Sequence, residues 1–600
     1  MQFPAIFDKE TIVLSIGYRV NCMIKINNNK QIELFDPWGH LSPKRRKMLD
    51  DSWAGLFKNE ILSELPVLKL APYFHKSFGR PTKELYTVLG MLILQQTHDL
   101  TDEETSDHLS YNIQWHYALN ITEESDSAKY ISPKTLWNMR QAVIEVKLED
   151  LLFQTTANKL ADLFQVSTDK QRIDSVHIKS NMRRLGRINI FATTIRKYLT
   201  NLKRNHKDLY SDLDDALINK YMPQKAFQCF SMVKPSDSSK TLASVSADLF
   251  DLYETFKSNS HVKQMKSFML LKRVLDEQCN VAEHDNGKSV EVKKPKEIPS
   301  SSLQNPSDPD ATYSGHKGQG YQVQVMETYT DTEDEVEKSK TLNLITHVDV
   351  EEACQSDAQA LKPAIKSAKE RGLCPKELSA DSLYGSDENS EYAKSEGVEL
   401  ISPTMGTSKV KGLSLGAFEF LENGHIKECP NSIKPSMSKK KKTRFTQGFS
   451  AEVCTNCQLK DQCPAKPGKK QFYVRYSEKE MRIAKRRALE STSEFKDRYR
   501  WRAGVEATMS EYSTRTGVKK LRVRGYKMVK FCAILKAIGV NIHRATAVRK
   551  ARKGSIDPDY NPNFHFFYLF VIFKEQIKLK LLSVIHKCCN YRRTYSFVTM

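Results

Sequence analysis

Three acidic residues occupy positions from which carboxylates could act together. Asp174 lies inside a predicted strand, Asp381 ends a second predicted strand, and Glu506 lies on a predicted helix much later in the chain. Cleavage or transfer of a phosphodiester requires neutralisation of charge on the attacking and leaving oxygens, and two carboxylate-bound divalent ions provide it in many nucleases. The three residues therefore predict a site for two Mg²⁺ or Mn²⁺ ions, if folding unites them. Each acid alone could also be an ordinary strand or helix residue.

The spacing around Glu506 adds geometry to this hypothesis. Tyr499, Arg502 and Glu506 are separated by three and four residues, so a helix predicted over residues 494–515 places them on one face. Arg502 could orient the Glu506 carboxylate or contact a phosphate. The alternative is a plain surface ion pair between Arg502 and Glu506.

The elements that must position the acids follow a simple order. Residues 171–178, 321–325 and 342–350 read as strands, and two further strands, 377–381 and 398–401, each follow a predicted helix. Three strands followed by two helix–strand units predict an α/β fold with a mixed sheet.

The region before the sheet, residues 41–163, has a helical pattern. Thr101–Glu104 forms a capping box, and Ser132 followed by Pro133 marks another helix start. Short helices with a polar, basic final member indicate a helix-turn-helix-like DNA-binding unit, and a plain helical bundle explains the pattern equally well. Residues 280–318 read as a linker or mobile loop, and residues 405–493 as a basic, irregular segment.

Composition limits the class of protein. The chain has 600 residues, of which 40% are hydrophobic and 28% charged, and this excludes collagen, a low-complexity chain and a polytopic membrane protein. The net charge of +21 indicates a polyanionic partner, most often nucleic acid, although a generally basic surface is the simpler alternative. The longest apolar run, Phe566–Phe573, is far shorter than the about 20 residues that a bilayer requires. We therefore expect no membrane association and a cytoplasmic, nucleoid-associated protein with reduced cysteines.

Four of the 12 cysteines are clustered: Cys429, Cys454, Cys457 and Cys463. In a reducing compartment four thiolates can build a tetrahedral structural Zn²⁺ site, which would explain how a basic segment with little apolar core folds. Free surface thiols are the alternative.

Several basic residues are candidate phosphate contacts: Lys317, Lys519, Arg522 and Arg524. Tyr499 and Arg502 join them as candidate DNA-binding residues. Each basic residue could instead belong to a solvated surface. Any base recognition is expected from the N-terminal helices, because phosphate contacts carry no sequence information.

A set of motifs resembles one family. The Tyr499-x2-Arg502-x3-Glu506 pattern is similar to the Tyr-Arg-Glu-Lys signature of bacterial insertion-sequence DDE transposases, and the chain resembles the 1182 family of insertion sequences over roughly residues 35–550. The other motifs are Gly79–Thr82, Asp308–Ala311, Gly315–Gly318 with Gly320 and Tyr321, Thr346–Asp349, and Ala380–Gly385.

The resemblance implies an architecture. It implies a ribonuclease-H-like DDE core over 166–552 with an insertion at about 405–493. The helical pattern predicts the DNA-binding domain over 36–165, and a helical or linker insertion is expected within the core at about 183–312. Residues 1–35 and 553–600 match no part of it.

The resemblance also implies a chemistry. Asp174, Asp381 and Glu506 would hold two Mg²⁺ or Mn²⁺ ions and catalyse strand cleavage and strand transfer, with terminal inverted repeats and target DNA as partners and a homodimer on paired ends. The signature lysine should fall at position 513, where the sequence has Ser513, so Arg515 or Lys519 would have to replace it. The alternative is an inactive or repurposed transposase-derived DNA-binding protein.

Overall fold

The computed structural model describes residues 23–27, 29, 36–223, 230, 233–284, 287–406 and 412–553. The chain divides into two units, residues 1–546 and 547–600, and the boundary falls inside the last described helix. The predictions made for most of residues 1–35 and for the tail after residue 553 lie outside the described residues.

The region before the sheet is helical, as predicted. The helix at residues 85–97 has a long apolar run and is buried along most of its length, so it belongs to the core of this region. The predicted capping box forms, since the Thr101 side chain accepts from the Glu104 N–H and the Glu104 carboxylate accepts from the Thr101 N–H. The helices are α1 (Pro43–Asp50), α2 (Trp53–Leu56), α3 (Val67–Leu70), α4 (Leu85–Thr97), α5 (Asp102–Tyr111), α6 (Ile113–Ala118), α7 (Asp126–Lys129), α8 (Pro133–Glu145) and α9 (Glu149–Phe164).

A strand, a helical segment with its own core and a hairpin come next. They are β1 (Lys170–Lys179), α10 (Arg187–Asn205), α11 (Lys207–Ser211), α12 (Asp215–Tyr221), α13 (Ser238–Phe256), α14 (Ser260–Lys263), α15 (Lys266–Gln278), β2 (Cys279–His284) and β3 (Gly287–Val292). The prediction of a linker over residues 280–318 is wrong, because β2 and β3 pair and the chain beyond them is anchored. Asp308 is fully buried and accepts hydrogen bonds from the Tyr321 hydroxyl and the Gly525 N–H.

The rest of the main sheet follows. Its elements are β4 (Thr312–Ser314), β5 (Gly318–Thr328), α16 (Glu335–Lys340), β6 (Ile345–Glu352), α17 (Leu361–Glu370), β7 (Glu377–Ser379), α18 (Asp387–Ser395) and β8 (Glu399–Ile401). The strand order is β4-β5-β1-β7-β8, with β6 also paired to β5. β1 is antiparallel to β5 and parallel to β7, which is parallel to β8. The predicted mixed sheet is confirmed.

Residues 405–493 are not irregular, and that prediction is wrong. They contain β9 (Glu419–Phe420), β10 (Ile426–Glu428), β11 (Met437–Lys441), β12 (Arg444–Ser450), α19 (Ala451–Thr455), β13 (Lys466–Pro467), β14 (Gln471–Ser477) and α20 (Glu478–Glu490). Phe445, Phe449, Val474 and Tyr476 are buried in a small separate core. The lysine-rich sequence of β11 does not resemble a typical strand, and its lysines are exposed because β11 is an edge strand.

Three α-helices and a 3-10 turn complete the described chain. They are α21 (Ser493–Tyr499), a 3-10 turn (Arg500–Ala503), α22 (Gly504–Thr516) and α23 (Tyr526–Lys553). The prediction of one continuous helix over residues 494–515 is wrong, because the chain tightens at residues 500–503. Among the described residues, α23 alone is long and apolar enough to cross a membrane by length and composition. Its stretch up to Thr546 is largely buried and carries Lys536 and Asn541 hydrogen-bonded inside the protein, as in the core helix of a soluble protein.

Candidate active site

Asp174 lies in the middle of β1, flanked in the sheet by β5 and, at the start of the strand, by β7. Its Oδ2 accepts a hydrogen bond from Arg502 Nη2 at 2.7 Å, and its Oδ1 accepts from the Ser175 N–H at 2.8 Å. Burial raises the pKa of Asp174, and the charges of Asp381 and Asp357 act in the same direction against the opposing effect of Arg502. The carboxylate therefore lies in a place where added positive charge is favourable.

Asp381 lies two residues beyond the end of β7, the strand next to β1. Its Oδ1 accepts from the Leu383 N–H at 2.9 Å, and its carbonyl oxygen accepts from the Ser402 hydroxyl at 2.6 Å. The loop then turns tightly at Gly385, where a Cβ would lie 1.9 Å from the Pro403 carbonyl oxygen. Both bonds hold Asp381 at the end of the sheet.

Helix α20 of the insertion braces the same loop. Arg486 donates to the carbonyl oxygens of Gly385 at 3.1 Å and Ser402 at 3.2 Å, and Arg482 forms an ion pair with Asp387 at 2.6 Å. The insertion thus contacts the segment that carries Asp381.

Arg502 connects the first acid to the third. Its Nη2 donates to Asp174, and its Nη1 lies 3.4 Å from Glu506 Oε1, so one guanidinium bridges two carboxylates that are far apart in the chain. The Glu506 side chain is 72% exposed and is open to a ligand. The predicted i,i+4 pair between Arg502 and Glu506 is confirmed.

Tyr499 belongs to the same group. Its ring stacks on Phe495 with centroids 5.6 Å apart, and burial raises its pKa, with further contributions from Asp381 and Asp174. The folded chain therefore brings Tyr499, Arg502, Asp174 and Asp381 into one neighbourhood. Within the described residues, however, no group of three or more acidic, histidine or cysteine side chains is placed to hold a metal ion.

A buried network holds α22 against β1, and sequence reasoning missed it. Glu327 of β5 has no exposed surface and accepts from Arg172 Nε, Arg544 Nη1 and the Thr508 hydroxyl, each at 2.7 Å. Arg172 also donates from Nη1 to the Trp501 carbonyl oxygen at 2.8 Å, which fixes the turn before α22. The signal in the sequence that could have indicated this network is Glu327, an acid inside the largely apolar strand β5.

Lys317 lies beside the site on the turn before β5. Its Nζ donates to the Ser175 hydroxyl at 2.9 Å and lies 3.7 Å from Asp357 Oδ2. Asp357 is a further acid near Asp174 that sequence reasoning did not single out. Tyr384, within the Ala380–Gly385 motif, is fully buried and donates to Gln324.

The other predicted DNA-binding residues lie between α22 and α23. Arg522 pairs with Asp99 at 3.2 Å, Arg524 contacts the Met182 sulfur, and Lys519 is exposed. None of the described hydrogen bonds or ion pairs joins these three residues to Asp174.

The four clustered cysteines surround one small cavity. Cys429, Cys454, Cys457 and Cys463 line it together with apolar residues such as Phe449, and all four are free thiols. Burial raises the pKa of Cys454 and of Cys463, and neighbouring thiols add to both shifts. These thiols are among the described groups that are not placed to hold a metal ion, so zinc binding stays a prediction.

Comparisons with known proteins find two family matches. Residues 426–546 match a family described as a transposase DDE domain, and residues 59–142 match one described as a transposase domain (DUF772). No curated protein and no solved structure matches the chain. The first match includes Glu506 and much of the cysteine-bearing insertion, and the second covers most of the N-terminal helices. The two matches support an insertion-sequence transposase and do not distinguish among families of insertion sequences.

Proposed function

We propose that this protein is a DDE transposase that binds the terminal inverted repeats of its mobile element and catalyses metal-dependent strand cleavage and strand transfer. The observation that carries the proposal is the Arg502 guanidinium, which contacts both Asp174 and Glu506. Asp381 lies near enough to raise the pKa of Asp174. Many enzymes that cut or join DNA phosphodiesters use such a concentration of carboxylates around positive charge.

The sheet supports a ribonuclease-H-like core. β1 lies between antiparallel β5, which carries β6, and parallel β7, which carries β8. Asp174 on the central strand, Asp381 after its parallel neighbour and Glu506 on a packed helix are the arrangement that the resemblance implies. The assignment is proposed on this topology and on the transposase matches.

The donor set suits hard divalent cations. Carboxylate oxygens are the protein ligands that Mg²⁺ and Mn²⁺ prefer, and Asp174, Asp381 and Glu506 would hold the two ions. Arg502 already places a cationic group between two of these acids, and this supports a pocket that is favourable for positive charge. When bound, the ions supply activation of the nucleophile and stabilisation of the leaving oxygen.

The protein side chains have separate tasks in this proposal. Arg502 orients Glu506 or contacts a phosphate, and Tyr499 covers the acids from α21. Lys317, which reaches β1 next to Asp174, contacts the scissile strand. The reaction needs no protein nucleophile, because water attacks in the first step and the freed DNA 3′-hydroxyl attacks target DNA in the second.

The remaining partners follow from the same chemistry. Two element ends require two active sites, so we propose a homodimer on paired ends. Phosphate contacts from Lys519, Arg522 and Arg524 would add sequence-independent affinity. Recognition of the end sequence is assigned to the N-terminal helices, where α8 exposes Lys134 and Trp137. The nucleoid in the cytoplasm is the location that such a partner implies.

Cleavage of labelled duplexes that carry the inverted repeats flanking the gene tests this proposal. We expect nicking at the repeat boundary in Mg²⁺ or Mn²⁺, and we expect Asp174→Asn to abolish nicking while leaving duplex binding intact. Asp169→Asn is the matched control, since Asp169 is an exposed acid just before β1 that pairs with Lys376. Binding without any cleavage by the unaltered protein would instead favour the inactive DNA-binding alternative, to which Ser513 in place of the signature lysine would contribute.

The cysteine group is the second metal proposal. Four free thiols around one cavity match the ligand set of a structural zinc site, and zinc would offset the cost of ionising buried thiols. In this structure the four thiols are not placed to hold a metal ion, so zinc binding would require them to rearrange.

A further inference from the structure

The loop before α4 exposes aromatic and basic side chains together. We call residues 72–82 the aromatic loop. Within it Phe78 is 77% exposed and Tyr73 is 44% exposed, while Lys76 and Arg80 flank Phe78 and are exposed as well. The loop includes the whole Gly79–Thr82 motif, to which the proposed chemistry gives no task.

The aromatic loop is held in place at both ends. The Tyr73 hydroxyl donates to Glu145 Oε2 at 3.1 Å at the end of α8, and the Thr82 N–H donates to the Met23 carbonyl oxygen at 2.8 Å. Gly79 has a φ of +104° and completes the turn. Phe78 therefore projects from a fixed base.

Contacts inside the loop fix the direction of Phe78. His75 Nδ1 accepts from the N–H groups of Ser77 at 3.2 Å and Phe78 at 3.0 Å, and the rings of His75 and Phe78 lie 5.0 Å apart. Because His75 restrains both the backbone and the ring of Phe78, this exposed ring can contact a partner without a large loss of conformational entropy.

The charge around Phe78 selects the kind of partner. Residues 72–83 contain no acid, and among the described residues neither Lys76 nor Arg80 has an ion-pair partner. The first acid that follows in the sequence, Glu84, is engaged because its carboxylate accepts from the Tyr86 and Thr87 N–H groups, and Glu145 is engaged by the Tyr73 hydroxyl. An aromatic side chain between two free cations fits a surface with anionic phosphates on both sides of apolar bases.

We propose that the aromatic loop is a DNA-contacting wedge. Lys76 and Arg80 contact phosphates, and the Phe78 ring packs against the bases of one step of the duplex at the element end. Apolar side chains are used in this way by proteins that unstack and bend DNA. This inference rests on the proposed function, which supplies the DNA partner, and it assigns a task to the Gly79–Thr82 motif.

Fluorescence anisotropy with the full chain tests the wedge. The probes are a duplex of the flanking inverted repeat and the same duplex with 2-aminopurine placed at successive positions. We expect Phe78→Ala to weaken binding by about 5- to 150-fold, the range of one lost stacking contact, and Phe78→Trp to retain it. Paired substitution of Lys76 and Arg80 by Gln should reduce the slope of log affinity against log salt by about 2.

Tyr111→Ala provides the matched control. Tyr111 is 85% exposed on the same helical region, but no Lys or Arg lies within four residues of it, so its loss should change neither affinity nor 2-aminopurine emission. Emission should rise at one step when the unaltered protein binds, and Phe78→Ala should remove that rise. Because Phe78 is exposed, the variant should fold normally.

The outcomes separate the two proposals. Unchanged affinity and emission for Phe78→Ala, with the unaltered protein binding tightly, overturn the wedge and leave the transposase proposal intact. A changed molecular mass in solution without a change in DNA binding assigns Phe78 to a contact between copies and also overturns the wedge. Failure of the unaltered protein to bind any duplex overturns both.

Discussion

Gly504 is the position at which one added methyl group should move Arg502 and Glu506 away from Asp174. A Cβ at this residue would lie 2.1 Å from Arg172 Nη1 and 2.7 Å from its Cζ. The guanidinium cannot simply move aside, because it is buried, bonded to Glu327 and Trp501, and placed 5.3 Å over the Tyr329 ring. Gly504→Ala should therefore break bonds that hold the turn before α22.

The size of the effect follows from those bonds. A hydrogen bond to a charged group contributes about 1.5–3 kcal/mol, and breaking a buried ion pair costs about 3–5 kcal/mol. Replacing Gly by Ala in a helix returns at most about 1 kcal/mol, and less at its first residue. We expect Gly504→Ala to lower the free energy of unfolding by about 2–4 kcal/mol, measured by urea denaturation followed by circular dichroism.

The same substitution should affect cleavage more than DNA binding. The turn carries Arg502 and Glu506, so its displacement moves them relative to Asp174. Loss of a supporting contact around metal ligands typically costs about 10–100-fold in activity or metal affinity. We expect a decrease of that order in the nicking rate, with duplex affinity unchanged.

A double-mutant cycle identifies the cause. Arg172→Met removes the planar head that occupies the space above Gly504, so in that background Gly504→Ala should cost less than about 0.5 kcal/mol or stabilise the fold. If alanine at residue 504 is equally costly with and without Arg172, the steric argument is wrong. If alanine costs nothing in either background, the turn is not fixed by this contact.

Two further predictions concern charge and metal. Because the pKa of Asp174 is raised in the folded state, ionisation of this carboxyl destabilises the fold above that pKa, and the penalty is relieved as the pH falls through it. Asp174→Asn should therefore stabilise the protein at neutral pH, and this gain should be lost under acidic conditions. A pH-independent effect of the substitution in thermal denaturation would contradict this reasoning. Protein purified with zinc should contain about one Zn²⁺ per chain. Paired substitution of Cys454 and Cys457 by Ser should remove it, whereas Cys374→Ser, outside the group, should not; equal zinc in all three proteins by elemental analysis would exclude the site.

Local sequence patterns were sufficient to predict the elements that carry Asp174 and Asp381. β1 and the helix–strand units around Asp381 are visible in the sequence because apolar alternation and helix caps are local signals. The lysine-rich β11 escaped prediction because it is an edge strand whose exposed lysines do not read as a strand.

The surroundings of Glu506 could not be read in the same way. The break between α21 and α22 depends on Arg172, a residue hundreds of positions earlier that donates to the Trp501 carbonyl oxygen. Arg172 faces Glu327 across the β1–β5 register, so the pair exists only after two distant strands have aligned. Sequence spacing identified the acids but not the network that orients them.

The candidate site is held in place from two sides, and a different part of the chain provides the contacts on each side. Arg172 and Glu327 fix the Glu506 side through the buried network, and Arg486 fixes the Asp381 side through the carbonyl oxygens of Gly385 and Ser402. Arg486 lies on α20, which directly follows the last strand of the small sheet that the cysteines adjoin. A loss of order in this insertion should therefore displace Asp381 while leaving Asp174 in the sheet, so that cleavage is impaired before the main fold is.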